Sequence, residues 1–597
     1  MTPIDYSIVC IYMLIIIIAG VLLQQRAAKN IDTYFLGGRK LPWWVLGSSG
    51  MAANVDISGT MINTALIYSL GVMGFYVELR GGVVLILAFL LVFMGKWNRR
   101  SGVMTLAEWM YLRFGSGKQG DLARLISAIA SIILTIALIS YFAIASGKFA
   151  GEFLGMDWRL AATLMIIIAA SYTVASGLYA VVWIDLMQSA IILGVALFIV
   201  FMAMTQVNFP GLDAPLVTSI PALNGETATV QTTYGEWTSI VPKMTLDFEG
   251  PYAIFNLFGV AISFYLMKAI LEGFGGGNSY MAQRYFAAKD EREAGLISLL
   301  WTVLLAFRWP LTGALALFGV HYGIEHAVIA DPEMVVPTVI NTYLPIGLKG
   351  LVIAGFIAAA MSTVDATVNA GASYWVKDIY QAYINPKASE KKLMLQSKLG
   401  TILLLLIGLL LSFTVRNINE IWGWTMMGIA SGILVPQLMR WYWWRFNGFG
   451  FAAGTFTGLI AAIATKLLVP EVQDYTLFIY SSALSFVGCI IGTYLTPATD
   501  DEVLSKFYKV TRPFGLWGKF KLELPEQQQR SVRAENQRDI VSIFMAVPWQ
   551  ITLFLSAMMI VYKRWDQFVI LGSICALLSV GLYFNWFRHL KAEKADI

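Results

Sequence analysis

Charge is what this chain has least of. Asp, Glu, Lys and Arg together make up 13% of its 597 residues, about half the share usual in a soluble domain. Hydrophobic residues make up 58%, mean hydropathy is +0.67, and apolar runs of about 20 residues recur along the chain. A soluble fold is excluded. Runs of that length cross a bilayer as helices, so the chain reads as an all-α polytopic membrane protein with the lipid bilayer as a partner. Cysteine is almost absent. Cys10, Cys489 and Cys575 lie far apart, each in an apolar run, which excludes a disulfide framework and suits small buried hydrophobes. The three histidines, His321, His326 and His589, form no ligand pattern. No catalytic constellation is visible, so an enzyme is not expected. The net charge of +5 is spread over loops, where membrane topology accounts for it, and no nucleic-acid partner or obligate protein partner is indicated. The run at 5–25 has no Lys or Arg before it and no small-residue cleavage site after it. It reads as an uncleaved first helix.

About fifteen spans are expected, near 5–25, 42–69, 81–98, 122–150, 158–180, 185–206, 252–280, 296–320, 347–377, 394–415, 420–440, 449–469, 474–497, 543–562 and 567–587. The loops carrying Arg26 and Lys40, Lys96 to Arg100, Arg284 to Arg292, Lys387 to Lys392, Arg440 to Arg445, 498–541 and the tail from Arg588 then all fall on one side. The loop 207–251 holds only Lys243, and the loop 321–346 holds no Lys or Arg. The positive-inside rule places the N-terminus outside and the C-terminus in the cytoplasm.

Two spans look interrupted. One contains Gly47-Ser48-Ser49-Gly50-Met51-Ala52-Ala53-Asn54-Val55-Asp56-Ile57-Ser58-Gly59, the other Glu272-Gly273-Phe274-Gly275-Gly276-Gly277-Asn278. Glycine costs a helix roughly 1 kcal/mol relative to alanine, and unwound backbone at membrane depth is tolerated only inside protein or along a cavity. The breaks fall in the second and seventh spans, so two inverted five-helix repeats with discontinuous first helices fit the pattern, as in secondary transporters. Helix-packing glycines are the alternative for either break alone. The resulting division is an extra helix and loop over 1–41, a first repeat over 42–206, an extracytoplasmic loop over 207–251 and a second repeat over 252–442. Two peripheral helices over 443–497, a polar cytosolic linker over 498–541, and two further helices with a tail over 542–597 complete it. The last two helices receive no transport role from the sequence.

A third segment, Leu348 to Tyr380, is apolar enough to span, yet carries Ser362, Thr363, Asp365 and Asn369. Ser362, Asp365 and Asn369 share one helix face. A polar face at bilayer depth implies a partner or a wet path.

These residues resemble the sodium/solute symporters. Ala358-Ala359-Ala360-Met361-Ser362-Thr363 matches that family's A-A-x-x-S-[ST] motif. Ser176-Gly177-Leu178-Tyr179-Ala180-Val181-Val182-Trp183-Ile184-Asp185 is similar to its G-G-x-x-A-V-x-x-[TS]-D stretch. Tyr34-Phe35-Leu36-Gly37-Gly38-Arg39 precedes the first break, and Gln283-Arg284 follows the second. The resemblance covers about residues 5 to 497. It implies an inverted-repeat bundle of the leucine-transporter type in a bacterial-type cell (inner) membrane. It also implies Na+ as the coupling ion, held by the carbonyls of Ala52, Val55 and Ala359 and the hydroxyls of Ser362 and Thr363. A register shifted by two would select Asn54 and Ile57 instead. Asp185 matches a family aspartate on the sodium release path; a cytosolic-end charge is the alternative.

The sugar-contacting run of the sugar-transporting members is not preserved: Leu271, Phe274 and Gly275 stand at its Asn, Tyr and Trp positions. Candidate substrate-binding residues are Asn54, Asp56, Asn63, Arg80, Glu272, Phe274, Asn278, Arg308, Asp365, Asn369, Trp422 and Trp424. Acidic groups around one cavity suit polyhydroxyl bonding, and guanidinium forks suit a carboxylate such as a uronate. Arg80 also reads as an interfacial anchor, Arg308 as a neutraliser of Asp365 or Glu272, and Trp422 and Trp424 as an interfacial belt. The expected function is sodium-coupled symport of a small organic solute, a sugar or sugar acid. An amino acid or other organic acid is the alternative solute, and a membrane solute sensor is the alternative of another class.

Overall fold

A computed structural model describes residues 1–27, 41–103, 105–207, 211–221, 227–276, 279–415, 417–469 and 471–590. The Tyr34 to Arg39 motif and Asn278 lie outside the described residues, as do the side chains of residues 176–181. The described residues are mostly helical. Ten helices among the described residues are long and apolar enough to cross a membrane by themselves. The expected number of about fifteen is not recovered by that measure, because several spans are not single helices. The span at 42–69 is two helices, and 81–98 is built of short pieces, Ile86–Phe89, Leu90–Met94 and Gly95–Arg100. Trp158–Gln206 is helical throughout, where the sequence placed a boundary between 180 and 185.

Both expected breaks are present. The first helix, Trp43–Ala52, ends as the amides of Asn54 and Val55 both turn back to the Met51 carbonyl at 2.9 Å. The chain restarts at Ile57–Leu70, whose N-cap is Asp56; its carboxylate accepts from the Gly59 amide at 3.0 Å. An aspartate between two apolar stretches is a strong helix-start signal, which explains why the chain breaks here and resumes at once. In the second broken helix, Phe258–Gly275 ends on Gly276 at φ +93°, a conformation that glycine adopts without a Cβ clash. Helix resumes at Ser279–Phe286. The span expected at 296–320 is also two helices, Glu291–Leu305 and Arg308–Glu325.

The loop 207–251 departs from an all-helical expectation. Pro215–Pro221 and Thr227–Thr233, rich in Val and Thr, pair antiparallel with Pro215 opposite Thr233. The loop is stapled to the C-terminal end of Ile57–Leu70: the Val72 amide donates to the Trp237 carbonyl at 2.8 Å, and Trp237 Nε1 donates to the Tyr68 carbonyl at 3.1 Å.

The polar segment 498–541 is folded. Asp501–Thr511 buries Leu504, Phe507 and Tyr508, and the helix Glu526–Val561 begins within the segment and runs on into the apolar part without a break. Arg113 sits over the rings of Phe507 and Trp517 and donates to the carbonyls of Arg440, Trp443, Trp444 and Phe446. A cation there satisfies carbonyls that a helix C-terminus leaves open. Lys96 pairs with Glu535 and Asp539 at 2.7 Å each, and Arg100 pairs with Glu535 at 2.8 Å and Glu291 at 2.7 Å. These pairs hold the start of Glu526–Val561 against the core. Burial alone would raise the Glu535 carboxyl, but Lys96 and Arg100 outweigh it and hold it at about 2, below its ordinary 4.5. Glu535→Gln should therefore lower stability at neutral pH by about 1–3 kcal/mol, read as a lower thermal midpoint of the detergent-solubilised protein. Because the folded value is the depressed one, the stabilisation is complete above pH 4.5 and lost as pH falls towards 2. Wild type and variant should converge across that window.

Candidate functional site

Between the two breaks lies a cavity of about 60 Å³, walled by Ala53, Asn54 and Asp56 from the first break, Glu272 from the second broken helix, and Thr363 from Leu348–Ser373. Arg308, Tyr141, Trp422 and the turn Gly81 to Leu85 complete much of the wall. Six of the residues expected from the sequence thus meet in one place: Asn54, Asp56, Glu272, Arg308, Thr363 and Trp422.

The charges around the cavity are paired. Arg308 reaches Asp56 at 3.5 Å and donates to the Gly82 carbonyl at 3.2 Å. It neutralises Asp56, not Asp365 or Glu272 as the sequence suggested, because it packs against the first break. A Cβ at Gly59 would stand 1.7 Å from the guanidinium and displace it from this position. Glu272 pairs with Lys268 at 2.7 Å, and Lys268 also donates to the Arg80 carbonyl at 2.9 Å. Arg80 itself is fully buried, paired with Asp474 at 2.8 Å and Glu78 at 3.3 Å. It is not an interfacial anchor but a charge one layer behind the cavity. Asn54 accepts from Trp301 Nε1 at 2.9 Å.

Trp422 stacks on Tyr141 at 4.8 Å, an aromatic wall of the kind that packs on a sugar face. Trp424 is separate; its Nε1 donates to the Ala462 carbonyl at 3.3 Å. Phe274 is absorbed in a ring cluster with Phe89 and Phe93 at 4.9 and 5.9 Å. Asn63 is fully buried, and its amide has no partner among the described residues. Asp365 accepts from the Thr173 hydroxyl, and Asn369 lies buried further along the same helix.

Of the residues expected at the ion, Ala52 and Val55 flank the first break, and Ala359, Ser362 and Thr363 are on Leu348–Ser373. The Ala52 and Val55 carbonyls, at the gap between the two helices, accept no backbone hydrogen bond among the described residues, whereas the Ser49, Met51 and Asp56 carbonyls do. Ser362 Oγ donates to Asp185 Oδ1 at 2.6 Å, and Ser49 Oγ donates to Asp185 Oδ2 at 2.5 Å. Thr363 Oγ1 donates to the Ala359 carbonyl at 3.1 Å. Each hydroxyl places its proton on a neighbour and keeps its lone pairs, so back-bonding and cation ligation are compatible here. Arg284 lies 3.6 Å from Asp185, donates to Ser49 Oγ at 2.8 Å and sits over the Trp301 ring. Asp185 thereby ties Trp43–Ala52, Ser279–Phe286 and Leu348–Ser373 together.

Sequence reasoning missed Lys268, Glu78 and Tyr141. The Lys268 to Glu272 spacing of i, i+4 was a usable signal. Tyr141 lies mid-span with nothing local to mark it.

A turn in the cavity wall carries strain. Val84 has φ +53°, left-handed backbone that costs a β-branched residue on the order of 1–3 kcal/mol.

The family model for the sodium:solute symporter family matches residues 34–461. The sodium/glucose cotransporter of Vibrio parahaemolyticus is 25% identical over 86% of this chain and 95% of its own length. Sodium/glucose cotransporter 4 of Danio rerio is 26% identical over 78% of this chain and 72% of its own length. The high-affinity proline transporter PutP of Bacillus subtilis is 24% identical, covering 81% and 96%. A solved structure of a Na+-coupled sialic acid symporter in a substrate-bound outward-open state superposes with a TM-score of 0.62 at 19% identity, over 84% of this chain and 99% of that one. That likeness shows the fold, an inverted-repeat bundle of the leucine-transporter type. The protein is a transporter, not an enzyme, and sodium is its coupling ion. With the family match running over most of its length, the chain belongs to the sodium:solute symporter family.

Proposed function

We propose that this protein imports a small organic solute, a sugar or sugar acid, together with sodium, by alternating access. The observation that carries the reading is the cavity between the two breaks, where Asn54 and Asp56 face Glu272, Arg308 and Thr363. Sodium sits at the carbonyls of Ala52, Val55 and Ala359 and the hydroxyls of Ser362 and Thr363. This neutral oxygen set suits a hard monovalent ion that must bind and leave. Holding both sides of the break, the ion favours the state in which the solute binds. Release passes Asp185, whose carboxylate accepts a hydrogen bond from the Ser362 hydroxyl at 2.6 Å.

For the solute, the pairing of Asp56 with Arg308 and Glu272 with Lys268 leaves the cavity without a strong excess of either sign. That supports a neutral or singly anionic polar solute over a cation. The Tyr141–Trp422 stack supports a sugar ring, and Arg308 supports a carboxylate. An amino acid or other organic acid is the second reading, kept by Arg308 in the wall and by a proline transporter among the relatives. The N-terminus is outside and the C-terminus cytoplasmic, so inward transport draws on the ion gradient and on about 2.3 kcal/mol per charge per 100 mV.

Proteoliposome uptake of sugars, uronates and amino acids, with and without a sodium gradient, should show accumulation of a sugar or uronate only with the gradient. Accumulation of an amino acid alone selects the second reading, and no sodium dependence with any solute rejects symport. Ser362→Ala and Thr363→Ala each remove one ion oxygen worth about 1–2 kcal/mol, roughly tenfold in half-saturating sodium. Solute half-saturation at saturating sodium should change far less. An unaltered sodium dependence in both variants removes the assigned ion site.

A further inference from the structure

The helix Glu526–Val561 lies outside the two repeats, yet one of its side chains reaches the cavity wall. Gln550 is fully buried, and its Nε2 donates to the carbonyls of Val83 and Val84 at 3.1 Å each. Those residues form the turn Gly81 to Leu85, of which Gly81, Gly82, Val84 and Leu85 line the cavity. The amide orientation is determined by chemistry: the opposite flip would set an oxygen against two carbonyl oxygens. Val84 holds left-handed backbone at φ +53°, a conformation a β-branched residue keeps only when its surroundings impose it.

Two groups impose it from opposite sides. Arg308, inside the cavity, donates to the Gly82 carbonyl at 3.2 Å. Gln550, from behind, takes the next two carbonyls. The turn's own amides bond locally, Val83 to the Glu78 carbonyl at 2.9 Å and Val84 to the Gly81 carbonyl at 3.1 Å. Non-helical backbone at this depth needs protein partners for its remaining polar groups, and Gln550 supplies one.

We propose that Gln550 is a positioning residue for transport: from an appended helix it holds the strained Val83–Val84 turn in the shape that receives solute. This rests on the reading of the cavity as the solute site. It gives the C-terminal helices a role that their place in the sequence does not suggest.

The test compares full-length wild type with Gln550→Met, which keeps length and removes the donor. Ser556→Ala, whose hydroxyl bonds only its own helix at the Leu553 carbonyl, is the control. In hydrogen exchange without solute, peptides covering residues 81–86 should exchange about tenfold faster in Q550M and unchanged in S556A. In uptake, half-saturating solute should rise about five- to tenfold in Q550M, with half-saturating sodium within about twofold. If Q550M does not accumulate, Gln550→Asn, too short to reach both carbonyls, carries the same comparison. Unchanged exchange at 81–86 overturns the proposal. So does faster exchange with unaltered solute half-saturation, or an equal rise for solute and sodium. Wild type without sodium-dependent uptake overturns the symport reading instead, while exchange still decides whether Gln550 holds the turn.

Discussion

A backbone amide or carbonyl at membrane depth has no water to bond, and much of this structure follows from where the helical ladder is interrupted and what replaces it. At the first break, Asp56 caps the helix that restarts, Trp301 holds Asn54, and the carbonyls of Ala52 and Val55 stay out of the ladder. At the second, the Gly276 carbonyl accepts from Asn98 Nδ2 at 3.2 Å. At the turn Gly81 to Leu85, Arg308 and Gln550 share the carbonyls. Each interruption is a local cost of several kcal/mol if left unpaired. Each repair ties together elements distant in the sequence, so the places where the chain gives up its own hydrogen bonds are also where the bundle converges.

Buried charge obeys the same rule. Asp56 with Arg308, Glu272 with Lys268, Arg80 with Glu78 and Asp474, and Asp185 with Arg284 are all pairs inside the bundle. Losing one partner of such a pair costs about 3–5 kcal/mol, because the other is left uncompensated. Three of these sets join elements that belong to different repeats or to a peripheral helix. Arg284 joins Trp43–Ala52 and Ser279–Phe286 to Asp185, and through it to Ser362. Ser362 and Arg284 thus meet on the same carboxylate.

The two ends of the bundle are closed by segments whose composition hides their order. Lys96, Arg100, Glu535 and Asp539 seat the start of Glu526–Val561, and Gln567 accepts from the Ile240 amide at 3.2 Å on the other face. The appended helices thus grip the core at both ends and, at Gln550, in the middle.

Much of this was legible in the residues themselves. Scarce charge and long apolar runs determined a helical membrane protein. Glycine clusters with Asn54, Asp56 and Asn278 marked the breaks. The Ala358 to Thr363 motif and Asp185 each stood out by resemblance; that Ser362 and Asp185 stand 2.6 Å apart came from the packed structure. These signals are local, since helix propensity, capping and hydropathy act within a few residues. Tertiary structure alone decided the partners. It placed Arg308 against Asp56, buried Arg80 with Asp474, separated Trp422 from Trp424 and sent Phe274 into a packed cluster. It also turned a polar stretch at 498–541 into packed helices and set Gln550 behind the cavity wall. A charge or an amide in an apolar run announces that a partner must exist, because burial without one is costly. Which partner it finds depends on residues hundreds of positions away, and only the packed bundle brings them within hydrogen-bond distance.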